Sequence, residues 1–260
     1  MPASTSVSTL SYADDDISAT WDQRVDSWEE VSQSPAFKRL AREVLADARP
    51  TQADRVVDLG CGTGLLSLAL APLVSTVVAV DASPAMLGRL LENAHGEGIT
   101  NLETCAADLR SLPLPDESVT LAVSNYAFHH LDGAGKELAL SEVRRVLVPG
   151  GRLVICDMMF ELSLRAHDLS VIGSKLRLLA RRGPAGLVRI ARNGARILAR
   201  RWEHPAAVTT WEHMLVARHF HSAQVRLLEH EAGLAFATRP AVPGEKRVQH
   251  AADRFDTSRI

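Results

Sequence analysis

Val56-Val57-Asp58-Leu59 runs straight into Gly60-Cys61-Gly62-Thr63-Gly64, and an apolar helical pattern follows from Leu65 to Leu73. A short β-branched run bounded by turn residues reads as a strand buried on both faces, the kind found in parallel sheets covered by helices. Glycines at its end let the chain turn sharply and let a ligand approach the backbone, at the carboxyl edge where open α/β sheets bind ligands. The spacing is GxGxG, whereas dinucleotide sites carry GxGxxG. Asp58 stands at the strand end just ahead of the glycines. A carboxylate there repels a pyrophosphate and attracts an ammonium or sulfonium. The loop therefore fits a ligand with an amino-acid head group; the plainer alternative is a helix-entry turn with a capping Asp.

The rest of the chain repeats that rhythm. Thr76–Val80, Leu102–Ala106, Ser118–Ser124 and Arg152–Cys156 read as further strands, the last entered through the turn Pro149-Gly150-Gly151. Helices are expected after Ser83-Pro84 and over Glu137–Leu147. Ahead of the first strand, Ser18 to Glu30 carries Trp21, Val25 and Trp28 at helical steps, and Ser34-Pro35 opens a second helix that Pro50 ends. The expected organisation is a flexible N-terminus (1–16), N-terminal helices (17–50), an α/β core (51–160), a helical lid insertion (161–215) and a C-terminal completion of the core (216–260). In that last part the pattern predicts a helix over Ser222–Ala232 stopped by Gly233, a strand at Ala235–Thr238, and a further strand near Lys246–His250.

The glycine segment resembles motif I of the class I S-adenosylmethionine-dependent methyltransferases. On that resemblance Asp81, ending the second strand, binds the ribose hydroxyls, with a helix N-cap as the alternative role. Asp108, followed by Leu109, takes the adenine amino group, the alternative being an ordinary turn Asp. Asn125-Tyr126-Ala127-Phe128-His129-His130-Leu131 is similar to motif IV of the group that includes the ubiquinone and menaquinone C-methyltransferases, and Arg145–Gly151 to the motif before its fifth strand. The fold implied is a doubly wound, mostly parallel α/β sheet. The cofactor implied is S-adenosyl-L-methionine, held by Asp58, Gly60, Cys61, Gly62, Gly64, Asp81, Ala82, Met86, Asp108, Leu109, Asn125 and Tyr126. The resemblance covers residues 50 to 157 well and residues 160 to 215 not at all.

Methyl transfer is an in-line displacement, so the protein mainly aligns the reactants and excludes water. A hydroxyl or carbon acceptor must also lose a proton, which makes His129 and His130 candidate bases, with His219 and His221 behind them. In the family such His-His-Leu runs often only shape the pocket. Trp211, His213, Met214 and Phe220 read as core or lid packing first, and so do Trp21 and Trp28, for which a cap over the cofactor is the alternative.

Bulk properties narrow the function classes. Hydrophobic residues make up 46% of the chain, which argues for a globular enzyme, and a net charge of −2 implies neither nucleic acid nor membrane. Three scattered cysteines, Cys61, Cys105 and Cys156, give no ligand spacing, so no metal is expected. The start lacks a signal-peptide pattern, and a cytoplasmic protein is expected, monomeric or homodimeric, acting on a small-molecule acceptor. One region departs from this neutrality. From Leu187 to Arg200 the apolar residues fall on one helical face and Arg189, Arg192, Arg196 and Arg200 on the other. A solvated lid, a peripheral membrane contact admitting a lipophilic acceptor, and an acidic partner are its three readings; nucleic acid is not expected. A methyltransferase-like module that binds the cofactor without turnover stays open as the other class.

Overall fold

A computed structural model describes residues 15–160, 204–228 and 231–241, with Gly173. The basic segment 187–200, the expected strand near 246–250 and the first 14 residues lie outside it. Three helices come first: α1 (Asp15–Asp22), α2 (Val25–Ser32) and α3 (Pro35–Ala48). They lead into β1 (Arg55–Leu59), α4 (Leu65–Leu70), β2 (Thr76–Asp81), α5 (Pro84–Gly96), β3 (Leu102–Ala106), β4 (Val119–Asn125), α6 (Gly133–Val146) and β5 (Leu147–Met158). After the insertion come α7 (Val208–Ala217), β6 (His221–Leu227) and β7 (Ala232–Thr238).

The strands form one seven-stranded sheet in the order β3-β2-β1-β4-β5-β7-β6. The first five run parallel, and β7 runs antiparallel to both of its neighbours. The order reverses at β1 and β4, and their carboxyl ends open the crevice in which doubly wound sheets bind ligands. Alternation sends neighbouring residues of β1 to opposite faces. Val57 and Leu59 join Leu140, Val143, Phe128 and Trp211 on the α6/α7 face. Val56 joins Val44, Leu45, Leu66 and Leu70 on the α3/α4 face, and Asp58, two residues on, shares that side.

Local chemistry explains the helix starts beside the crevice. Ser83 caps α5, its Oγ accepting from Met86 N at 3.1 Å, with Pro84 pre-set at the first helical position. Asp132 caps α6 by accepting from Gly135 N at 2.7 Å, while Arg144 and Arg145 occupy its last turn, where cations suit the helix dipole.

Three sequence expectations need correction. The helix expected over 18–30 is two helices, broken by a turn at Gln23 and Arg24. Pro149-Gly150-Gly151 does not precede the fifth strand but lies within it, Gly150 adopting φ +79° to kink a run that begins at Leu147. And 222–232 is no helix. Its first part is β6, which pairs with β7 from His221 to Leu227, and Gly233 is a strand residue pressed against Met159. The helix of this region is α7, whose Trp211 is wholly buried against Phe128 at 5.7 Å between ring centroids.

Replacing Trp211 by Ala is expected to cost about 3–5 kcal/mol, the usual price of emptying a large aromatic site. Trp211→Phe is expected to cost less, because it keeps a ring against Phe128 and removes an indole N–H that lacks a hydrogen-bond partner. Urea midpoints at unchanged m-value distinguish the two.

Candidate active site

The loop after β1 is left-handed at Gly60, Gly62 and Gly64, and all three positions are also sterically closed to a side chain, the one at Gly64 by Leu90. A Cβ on Gly60 would lie 2.3 Å from Cβ of Ala127, so the turns after β1 and β4 touch there. A Cβ on Gly62 would lie 2.6 Å from Nε1 of Trp28, which is seated on the loop from above. Gly60 N and Cys61 N both donate to Val80 O, at 2.8 and 3.0 Å, and Ser124 Oγ donates to Leu59 O at 2.8 Å.

Asp81 holds this loop closed. One carboxylate oxygen accepts from Gly62 N and the other from Ser83 N, both at 2.9 Å. The helix-capping role belongs to Ser83 and not to Asp81. Asp58 is 1% exposed, and Ser67 Oγ of α4 donates to it at 2.6 Å. Burial pushes its carboxyl up to about 7, the Ser67 hydroxyl offsetting part of the rise and the nearby Asp81 charge adding to it. Burial raises Asp81 as well, against the backbone N–H groups that favour its charge. Cys61 is a buried thiol whose desolvation, together with the Asp81 and Asp58 charges, keeps it protonated.

Asp58, Gly60, Cys61 and Asn125 line one cavity of about 20 Å³, closed by Trp28, Ser32 and Phe37 of the N-terminal helices and by Leu65 and Leu66. Oδ1 of Asn125 is buried there without a hydrogen-bond partner. Both groups are acceptors, and among the described residues no Lys or Arg pairs with Asp58. An incoming ammonium satisfies such a pair, since it donates hydrogen bonds and carries the opposite charge; a phosphate does neither. The residues present therefore fit a donor with a cationic amino-acid end.

The N-terminal helices are fastened over this cavity by polar contacts to α5. Asp22 accepts from Ser83 Oγ at 2.5 Å and from Ala85 N at 3.2 Å. Arg89 pairs with Glu29 and with Asp26, and Asn93 donates to Glu29 at 2.9 Å. Aromatic rings complete the cover in a closed circuit. Trp21 meets Trp28 at 5.4 Å, Trp28 meets Phe37 at 5.4 Å, and Phe37 meets Tyr126 at 5.0 Å. Tyr126 then meets His129 at 5.7 Å, His129 meets His130 at 4.0 Å, and His130 returns to Trp21 at 5.1 Å. Tyr126 holds its place in a turn at φ +61°, an unfavourable conformation for an aromatic residue and one that clusters at functional sites.

Other sequence candidates fall elsewhere. Asp108 is turned to the surface, where Arg110 Nη2 meets it at 2.5 Å and Arg110 N at 2.7 Å, the geometry of a turn Asp. Leu109 packs on the α6 face. Met86 is buried at the start of α5, and Ala82 is exposed beside Asp81. His219 and His221 are exposed on the turn after α7 and at the start of β6, and neither lines the cavity; His213 is exposed too. Trp211, Met214 and Phe220 are core. Among the described residues no group of His, Cys, Asp and Glu is arranged to hold a metal ion, and no helix is long and apolar enough to cross a membrane.

Sequence reasoning missed Ser67, Asp22 and Asp157. The last had a visible signal, an acidic residue inside the apolar run Leu153–Phe160. It lies 1% exposed at the end of β5 and meets His129 Nδ1 at 2.6 Å.

Residues 56–151 match the methyltransferase domain family. That match takes in β1 through the first residues of β5, the crevice-forming part of the sheet. The chain is 35% identical over 119 residues to an uncharacterized methyltransferase of Oceanobacillus iheyensis, an overlap of 46% of this chain and 54% of that protein. It is 31% identical over 158 residues to demethylmenaquinone methyltransferase of Clavibacter sepedonicus, covering 60% of this chain and 61% of that one. In fold it is similar to the N-methyltransferase NodS of Bradyrhizobium japonicum, solved with S-adenosyl-L-homocysteine, with a TM-score of 0.60 at 16% identity over 87% of this chain and 100% of that one. The chain spans about half the length of the curated relatives that it matches, and the match to the domain family ends at residue 151.

Because the folded state holds a proton on Asp58 that the unfolded chain releases near pH 3.8, the unfolded state binds fewer protons between pH 3.8 and about 7. Stability of the unliganded protein is therefore expected to fall as pH rises across that window, by up to about 4 kcal/mol from this one group. Asp58→Asn should flatten the slope, as read from urea midpoints between pH 4 and 8.

Proposed function

We propose that the chain transfers a methyl group from S-adenosyl-L-methionine to a small organic acceptor. The observation that carries this reading is the buried, cation-free Asp58 carboxyl beside the unpartnered Asn125 carbonyl oxygen, beneath a left-handed glycine turn. Asp58 and Asn125 would take the ammonium of the donor, and Asp81, at the end of β2, its ribose. The chain joining these two ends would run along the glycine turn, with Trp28 moved off Gly62. Asp108 and Leu109, the adenine contacts that the family resemblance implies, come under the same proposal, with the Arg110 pairing of Asp108 giving way on binding. When bound, the sulfonium supplies a methyl group that needs no further activation. The protein's share of the work is to align the acceptor and to exclude water.

The position of Asn125 and Tyr126 supports an acceptor approach at the end of β4, next to the aromatic circuit. A small, flat molecule fits rings arranged edge to face better than a polymer does. The relatives of known name include one acting on demethylmenaquinone, and specificity in such domains resides in variable segments, here the cap and the insertion.

Isothermal titration calorimetry checks the reading. S-adenosyl-L-methionine and its demethylated product should both bind the purified chain, and NAD should not. Asp58→Asn is expected to weaken binding by about tenfold to a hundredfold, the value of one charge-assisted hydrogen bond. Binding near pH 6 should release a proton from Asp58, seen as a dependence of the heat on the buffer's ionisation enthalpy. Uptake of the donor with no methylated product from any acceptor would favour a binding module instead.

A further inference from the structure

The two adjacent histidines after β4 differ sharply in their surroundings. His129 is 5% exposed, and its Nδ1 meets Asp157 Oδ1 at 2.6 Å. That oxygen also accepts from Met158 N at 2.7 Å, while Asp157 Oδ2 is buried without a partner. An imidazole whose Nδ1–H donates to a carboxylate carries its lone pair on Nε2. The main chain of His129 is pinned as well, because its carbonyl accepts from His204 N at 2.6 Å. His204 is held in turn by Lys136, whose buried ammonium donates to the carbonyls of His204 and Leu131. His130 has no hydrogen-bonded carboxylate among the described residues, and Asp157 acts on it only at longer range. Desolvation first, and then the neighbouring His129, push it down to about 3, so it remains a neutral ring against Trp21.

A buried His–Asp pair is an expensive way to join a loop to a strand, since apolar residues of similar size stabilise at least as well. Here the pair stands in the aromatic circuit, beside Tyr126, whose preceding residue lines the cavity. We propose that His129 is the general base of the reaction, that Asp157 is its positioning residue, and that the acceptor is a weakly acidic hydroxyl compound of the phenol or enol class. The inference rests on the methyltransferase reading above. The acceptor's O–H bond breaks, its proton goes to Nε2 of His129, and its electron pair stays on oxygen. The oxygen then forms the bond to the methyl carbon of S-adenosyl-L-methionine as the carbon–sulfur bond gives its pair to sulfur. An aromatic amine, whose lone pair is free at neutral pH, would need such a base less. Asp157 from β5 and His130 from its own turn face His129 directly, and Lys136 from α6 and Arg24 from the turn between α1 and α2 act on the neighbouring His130.

The test uses the full chain saturated with S-adenosyl-L-homocysteine and 4-nitrophenol as the probe, whose absorbance reports its ionisation directly. Calorimetry of S-adenosyl-L-homocysteine comes first; no uptake there overturns the methyltransferase reading and this proposal with it. With uptake established, bound 4-nitrophenol should ionise about one pH unit below its midpoint in solution, the scale of shift that an adjacent opposite charge produces. His129→Gln should abolish the shift and Asp157→Asn should remove most of it, both with S-adenosyl-L-homocysteine affinity retained. Should Asp157→Asn fail to fold, His129→Gln still decides, because it leaves the carboxylate in place. Failure of the probe to bind at millimolar concentration, binding as the neutral phenol, or an equal shift in His129→Gln would each overturn the proposal. An equal shift in Asp157→Asn alone would leave that residue only tying the loop to β5, and would overturn its positioning role.

Discussion

A carboxyl group buried at the end of β1 with no cation beside it sets the terms for everything around it. Asp58 faces the α3/α4 side of the sheet, and that side is otherwise aliphatic. The fold lowers the cost of placing it there in two ways, through the Ser67 hydroxyl and through protonation. Neither supplies opposite charge. A ligand that brings an ammonium therefore gains more here than in water, because low polarity strengthens the attraction and the desolvation has already been borne in folding. The glycines follow from the same requirement. Side chains at Gly60 or Gly62 would collide with Ala127 or Trp28 and would separate the ligand from the carboxyl.

The parts of this arrangement that depend on local pattern could be read from the chain. β1 and β3 occupy the residues their apolar runs indicated, and Ser83-Pro84 starts a helix because both residues favour that start. Asp58 and Asn125 could be placed because each stands at the end of a strand whose direction the alternation of strands and helices dictates. What could not be read depends on pairing across sequence distance. β6 is an edge strand with little burial, held by backbone bonds to β7, and its spacing of Val225 and Leu228 imitates a helical stripe. His129 and His130 are indistinguishable in sequence; what separates them is a carboxylate 28 positions further along. Asp108 shows the converse, since its position matches a family pattern while Arg110, two residues on, engages its oxygens.

The cover over the cavity has a different physical character from the floor. The floor is made of strands and of α3 and α4, with side chains wholly removed from water. Among the described side chains of α1 and α2 only Ser32 is fully buried, Trp21 and Trp28 being half-buried, and the helices are attached to α5 through Asp22, Asp26 and Glu29. Partly exposed ion pairs are worth little, about 0–1 kcal/mol each. Elements held this way sit at the low end of a protein's local stability.

That difference matters because a space of about 20 Å³ holds a water molecule and not a nucleoside. A ligand of that size reaches Asp58 only by displacing Trp28 and the helices that carry it, and the weak attachment makes such displacement cheap. Three of the six rings in the circuit, Trp21, Trp28 and Phe37, belong to the N-terminal helices, and three belong to the turn after β4. The circuit is therefore complete only when the cover is down. With the cover down His129 and Asp157 are removed from water, so the base proposed there depends on the cover closing again over whatever the crevice admits.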